Sequence, residues 1–154
     1  RPTRSTLSSS SAASDVYMRQ GQVLFDLINI GNRKVFFVHG GVDAQEREEV
    51  RRITETEKDA IIVASFGTFS TGINIKNLHN IIFASPSKSR IRTLQSIGRV
   101  LRKGNNKVSA TLFDIADDTK KGSRNNYTLN QLIERIKYYN EEKFNYEILQ
   151  IKIG

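Results

Sequence analysis

The chain has 154 residues, 38% of them hydrophobic and 26% charged, which is one domain's worth of sequence with enough apolar content for a core. It has no cysteine, which excludes a disulfide scaffold, a thiolate metal site and a cysteine nucleophile; the two histidines, His39 and His79, lack ligand spacing. Lys and Arg total 24 against 16 Asp and Glu, and the resulting +8 favours a polyanionic partner, although many basic proteins bind none.

The chain opens on a polar, Ser-rich stretch, Arg1 to Ser14, unlike the apolar centre of a secretory signal. No apolar run approaches the roughly 20 residues that span a bilayer, so the expected setting is intracellular. Gln22 to Ile30 carries Val23, Leu24, Leu27 and Ile28 in a helical pattern that stops at Gly31, a natural C-cap. Val35-Phe36-Phe37-Val38 is the first of four short apolar runs. Asp43 to Thr56 reads as a helix opened by an N-cap Asp with a Glu three residues on.

The second and third runs are Ala60 to Ala64 and Ile81 to Ala84. A helix follows over Ser87 to Lys103, closed by Gly104, and then the fourth run, Ala110 to Phe113. Asp117 to Asn126 is a polar connection. Tyr127 to Phe144 is a last helix with an apolar stripe of Leu129, Leu132, Ile133, Ile136 and Tyr139, and Tyr146 to Ile151 alternates like an added edge strand. Runs rich in β-branched and aromatic residues read as strands buried on both faces. Their alternation with helices predicts an α/β fold, a doubly wound parallel sheet with helices on both faces. Such a sheet should begin with a buried strand before Gln22, yet Thr6 to Ser14 is a poor core strand. Residues 1–20 therefore read as a leader or a degenerate first strand, and 21–154 as the lobe itself.

The sharpest local pattern is Gln95-Ser96-Ile97-Gly98-Arg99-Val100-Leu101-Arg102. On a helix Gln95, Arg99 and Arg102 fall within about 60° of one another, while Ile91, Leu94, Gly98 and Leu101 take another face, expected to lie toward the sheet. Guanidinium is always charged and offers a planar fork of donors, which suits phosphate oxygens. A glycine inside a helix costs roughly 1 kcal/mol against Ala, so Gly98 points to a close approach by backbone or ligand. A generic Arg-x-x-Arg is only a solvated basic face; following a buried strand by about ten residues, this longer signature reads as functional.

Two strand ends carry further candidates. Ala64 to Ile75 follows the second run directly, as a loop with Ser65, Thr68, Thr71, Gly67, Gly72 and Asn74, and ligands in open α/β sheets bind beyond the carboxyl ends of strands. From composition alone this is a plain turn-rich loop. His39-Gly40-Gly41 leads from the first run toward a helix N-terminus, where free N–H groups attract anions. A lone histidine is more often structural. Arg47, Arg51 and Arg52 read as a solvated helix face.

In order and spacing these segments resemble the C-terminal RecA-like lobe of superfamily 2 helicases, over about Gly21 to Phe113. Gln95 to Arg102 is similar to motif VI, and the resemblance implies Arg99 and Arg102 as arginine fingers, with Gln95 near the nucleotide. Such fingers stabilise charge developing in phosphoryl transfer and can be worth ~10³ or more in rate. Ser65 to Asn74 is similar to motif V, which implies Ser65 as a hydroxyl on the nucleic-acid backbone, with Thr68 and Thr71 as weaker candidates. Gly72 and Asn74 would sit on the nucleotide side, although Asn74 departs from the Asp common in relatives. His39 and Gly40 would lie along the nucleic-acid track. The phrases Phe69 to Ile73, Ile97 to Lys103 and Glu141 to Tyr146 resemble the UvsW-type branch of phage helicases, which remodel branched DNA in repair and recombination. That branch implies the cytoplasm of a bacterial or phage-infected cell.

The sequence contains no Gly-x-x-x-x-Gly-Lys-Ser/Thr segment and no Asp-Glu-x-His-like segment after a strand. The resemblance then implies ATP with Mg2+ bound mainly by an N-terminal lobe, DNA as partner with RNA as the other possibility, and no membrane or protein-held metal. The alternative is a non-enzymatic nucleic-acid-binding module derived from a helicase lobe.

Overall fold

The computed structural model describes residues 9–72, 74–85, 87–101, 107, 109–119 and 126–152, with side chains from residue 16 onward except those of 70–72. These fall in two compact units, one reaching Asn77 and taking in Lys107, the other running from Leu78 to Leu101 and from 109 onward. None of the described helices is long and apolar enough to cross a membrane.

The first unit starts with helix α1 (Ser9–Ile28). It begins well ahead of the expected Gln22, so residues 9–14 are helical and not a first strand. Small Ser and Ala residues lack the branched bulk that a buried strand packs with, and alanine is the best helix former. Past the end of α1, Gly31 turns the chain at φ 92, where a side chain would be strained. Strand β1 (Lys34–Val38) pairs in parallel with β2 (Ala60–Ala64), with Val38 opposite Ala64. Helix α2 (Ala44–Thr56) forms the crossover; Asp43 caps it as expected, its carboxylate accepting from the Glu46 N–H at 2.8 Å.

Helix α1 packs on β1 through Gly21. A Cβ there would lie 2.7 Å from the Phe37 ring, whose other neighbour on α1 is Phe25, stacked at 6.1 Å. Among the described residues of this unit, Val38, Val42, Val50, Val63 and Ile75 are the buried apolar ones. After β2 the structure has a short helix, α3 (Phe66–Gly72), where the sequence reads as a loop. Its cause is Ser65, whose hydroxyl accepts from the Thr68 N–H at 3.2 Å and whose carbonyl accepts from the Phe69 N–H at 2.9 Å.

The second unit repeats the pattern. Strand β3 (Asn80–Phe83) pairs in parallel with β4 (Thr111–Asp114), and helix α4 (Arg90–Val100) lies between them in sequence. The expected burial of both strand faces does not hold here: the cross-strand partners Ile82 and Phe113 are 59% and 51% exposed, so these strands alternate. Helix α5 (Tyr127–Glu141) is capped by Asn126, whose side chain accepts from the Leu129 N–H at 3.0 Å. It ends at a positive φ of 58 on Lys143, earlier than the expected Phe144. The Phe144 N–H reaches the Tyr139 carbonyl and the Lys143 N–H reaches that of Asn140, the double closure of a Schellman motif.

Residues 144–152 form no strand, contrary to the expected edge strand. Tyr146 folds back instead, its ring 6.2 Å from Tyr139 and its hydroxyl donating to Asn140 at 3.1 Å. Alternation alone cannot make a strand without a neighbouring ladder to accept its backbone bonds.

Candidate functional site

In the first unit the candidates gather at one sheet edge. The in-register pairing of Val38 with Ala64 makes His39 and Ser65 leave adjacent strands side by side. His39 Nδ1 accepts from the Gly41 N–H at 3.1 Å, and its ring lies 5.1 Å from Phe37. An accepting Nδ1 leaves the neutral imidazole its proton on Nε2. The diglycine turn is held from below by Arg47, which donates to the Val42 carbonyl at 2.6 and 2.8 Å and to that of Gly40 at 3.4 Å. Gly40 is exposed, and a Cβ there would meet nothing within 4 Å, so its backbone is open to a ligand.

Ser65 and Thr68 are bonded to each other, their hydroxyl oxygens 2.9 Å apart. Thr68 is buried. With the Thr68 hydroxyl as donor, the Ser65 hydroxyl keeps its own proton to donate elsewhere. Thr71 and Gly72 fall in the last turn of α3, and the Thr71 side chain lies outside the described part. Asn74 follows in exposed, irregular chain. Arg51 is tied to Glu48 and Glu55, and Arg52 to Glu49, all on α2; their charges are locally neutralised. The hydrogen bonds within these pairs, and next their opposite charges, raise both guanidinium pKa values and lower those of Glu48 and Glu49.

In the second unit α4 carries Gln95 and Arg99 one turn apart, with Gln95 exposed and Arg99 half-buried. Arg102 lies outside the described residues. The inward face differs from the expected one. Thr93, Ser96, Ile97 and Val100 are buried, whereas Ile91 and Leu101 are 70% and 55% exposed. Gly98 is also exposed, and a Cβ there would meet nothing within 4 Å; none of the described residues makes the close approach expected of it. Small hydroxyl residues let the helix sit close to its neighbours, which turns the bulkier Ile91 and Leu101 outward. Gln95 and Gly98 thus share the face directly opposite the buried one.

A polar cluster that the sequence reading missed lies behind α4. Arg135, 1% exposed, donates from Nε and Nη2 to the two carboxylate oxygens of Asp114, each at 2.7 Å. Its Nη1 donates to the Ser87 carbonyl at 2.7 Å, and the Tyr139 hydroxyl donates to Asp114 at 2.8 Å. Burial, then the Asp114 charge, raise the Tyr139 pKa. The expected apolar stripe of α5 is therefore mixed: Gln131, Arg135 and Tyr139 are its buried line, and Ile133 is 40% exposed. The spacing of those three, four residues apart, was the available signal. Among the described residues, no group of three or more His, Asp or Glu could hold a metal ion.

Residues 8–104 match the family model of the helicase conserved C-terminal domain. The chain belongs to that family. The helicase domain is 42% identical over 147 residues to the ATP-dependent DNA helicase uvsW of Enterobacteria phage T4, covering 89% of this chain and 29% of that protein. It is 32% identical over 140 residues to the putative ATP-dependent RNA helicase L396 of Acanthamoeba polyphaga mimivirus, covering 85% and 26%. The chain thus spans less than a third of either relative. The crystal structure of the C-terminal part of the Fun30 ATPase domain shares the fold, with a TM-score of 0.54 and 15% identity over 80% of this chain and 45% of that one. The helicase domain is therefore an α/β RecA-like lobe, and helix α5 lies beyond the matched family segment.

Proposed function

We propose that this domain is the C-terminal motor lobe of an ATP-dependent DNA helicase or translocase, active as an ATPase only when an N-terminal P-loop lobe closes on it. The observation that carries the reading is the outward face of α4. Gln95 is exposed on a helix braced by an N-cap at Ser89, and Arg99 follows one turn later. In the motor Arg99 and Arg102 are the arginine fingers, and Gln95, Gly72 and Asn74 approach the nucleotide. ATP and its Mg2+ are held mainly by the P-loop lobe. The fingers meet charge that develops on the transferring phosphoryl group, where preorganised guanidinium lowers the barrier without reorganisation.

Ser65, backed by Thr68, lies beside His39 and Gly40 at one strand edge, and with Thr71 these form the nucleic-acid track. Hydroxyl and backbone N–H contacts to phosphates position a strand without reading its sequence. Closure on ATP and opening after hydrolysis then move the track along the strand. The higher identity to a DNA helicase favours DNA over RNA, and a phage relative favours the cytoplasm of a bacterial or phage-infected cell.

The test is ATP hydrolysis with and without DNA, by this domain alone and by the longer protein that includes a P-loop lobe. Turnover in the longer protein only, lost in Arg99→Ala with strand binding kept, supports the reading. Salt-sensitive DNA binding with no turnover in either sinks it in favour of a binding module detached from any motor.

A further inference from the structure

Helix α5 grips the segment that leads into α4 at several points. The Ser87 and Lys88 carbonyls precede α4 and accept no bond within it; Arg135 donates to the first at 2.7 Å and the Tyr138 hydroxyl to the second at 3.2 Å. Arg90, the first residue of α4, pairs with Glu141 at 2.9 Å and lies over the Tyr138 ring at 5.6 Å. The same Arg135 guanidinium holds Asp114 at the end of β4 in a two-bond fork. One rigid planar group therefore ties the sheet's C-terminal edge to the start of α4.

Thr93 Oγ1 and Ser96 Oγ are buried and find no hydrogen-bond partner among the described residues. Packing of small groups sets how close α4 lies, and directional bonds at its N-terminus constrain how it is tilted. Arg99 lies about 15 Å from Ser89 along the helix, so a tilt of only ~5° moves its guanidinium by about 1 Å. A misplacement of that size can cost ~10²-fold in rate.

We propose that Arg135 is a positioning residue for phosphoryl transfer: with Tyr138 it sets the direction in which α4 presents Gln95 and Arg99. This rests on the finger reading above. A buried ion pair is a poor device for stability alone, because desolvation offsets most of its attraction.

The test uses the longer protein with its P-loop lobe and compares Arg135→Lys, Tyr138→Phe and Arg99→Ala at a temperature well below every melting point. Arg135→Lys keeps the charge but cannot make the fork and the third bond together. The expected result is a 10- to 100-fold drop in DNA-stimulated kcat per folded molecule, with KM for ATP and DNA affinity within twofold of wild type. Tyr138→Phe should lose a few-fold in kcat and carries the test if Arg135→Lys does not fold. Wild-type kcat in the folded variant, while Arg99→Ala is dead, overturns the proposal. Hydrogen exchange over residues 88–99 separates the two readings. Faster exchange there in Tyr138→Phe supports the brace even if Arg99→Ala turns over normally and the finger reading fails; unchanged exchange overturns it.

Discussion

Arg135 and Asp114 form a buried two-bond ion pair, both contacts 2.7 Å, that joins helix α5 to the last residue of strand β4. The guanidinium is 1% exposed, and its third nitrogen, Nη1, donates to a backbone carbonyl. Removing either partner leaves the other charged group without a counterion in a dry place.

Asp114→Ala should accordingly cost about 3–5 kcal/mol of stability, the range for breaking a buried pair from one side. Urea denaturation measures it as a lower midpoint with an unchanged slope. A loss under ~1 kcal/mol would mean that water reaches Arg135.

Tyr139 gives the domain an alkaline limit. Burial, and next the Asp114 charge, raise its pKa in the folded state, so the native chain keeps a proton that the unfolded chain releases. Stability is then flat below the ordinary tyrosine value of about 10 and falls above it, by up to ~1.4 kcal/mol per pH unit. Tyr139→Phe should flatten that alkaline fall; melting curves of both proteins between neutral and strongly alkaline pH will tell.

Lys143 takes a φ of 58 to close the Schellman motif after α5. Glycine adopts that conformation at no steric cost, so Lys143→Gly should stabilise the domain by about 0.5–1 kcal/mol. A lower melting temperature would show that the lysine side chain contributes more than its strain costs.

Gly21 separates contact from conformation. Its substitution by Ala favours the helix by about 1 kcal/mol yet drives a Cβ to 2.7 Å from the Phe37 ring. Net destabilisation is expected, and Phe37→Leu in the same protein should recover part of it. Additive effects of the two changes would remove the contact as the cause.

At Gly98 the opposite holds, because a Cβ there meets nothing. Gly98→Ala should raise the stability of the isolated domain by about 1 kcal/mol, read from chemical denaturation. Any loss of ATP turnover in the longer protein would then come from a surface that another lobe or the nucleotide approaches, and not from misfolding.

Much of this was legible beforehand. The four strands stand within a residue or two of their apolar runs, and Asp43 caps α2 with the hydrogen bond that its spacing implies. Motif order alone was enough to point to the helicase family, to which residues 8–104 belong. These features are local: strand propensity, capping and signature spacing are properties of neighbouring residues.

Tertiary structure decided the rest. A period of 3.6 says that Gln95 and Arg99 share a face, but which face of α4 goes inward depends on what lies beneath it. There, Thr93 and Ser96 fit a close contact that Ile91 and Leu101 do not. The same holds for Arg135, a charged residue outside the expected apolar stripe of α5, for which Asp114 and the Ser87 carbonyl, distant in sequence, offer three acceptor sites. Residue spacing carries periodicity, whereas burial of a charge is decided by partners that only the folded chain brings within reach.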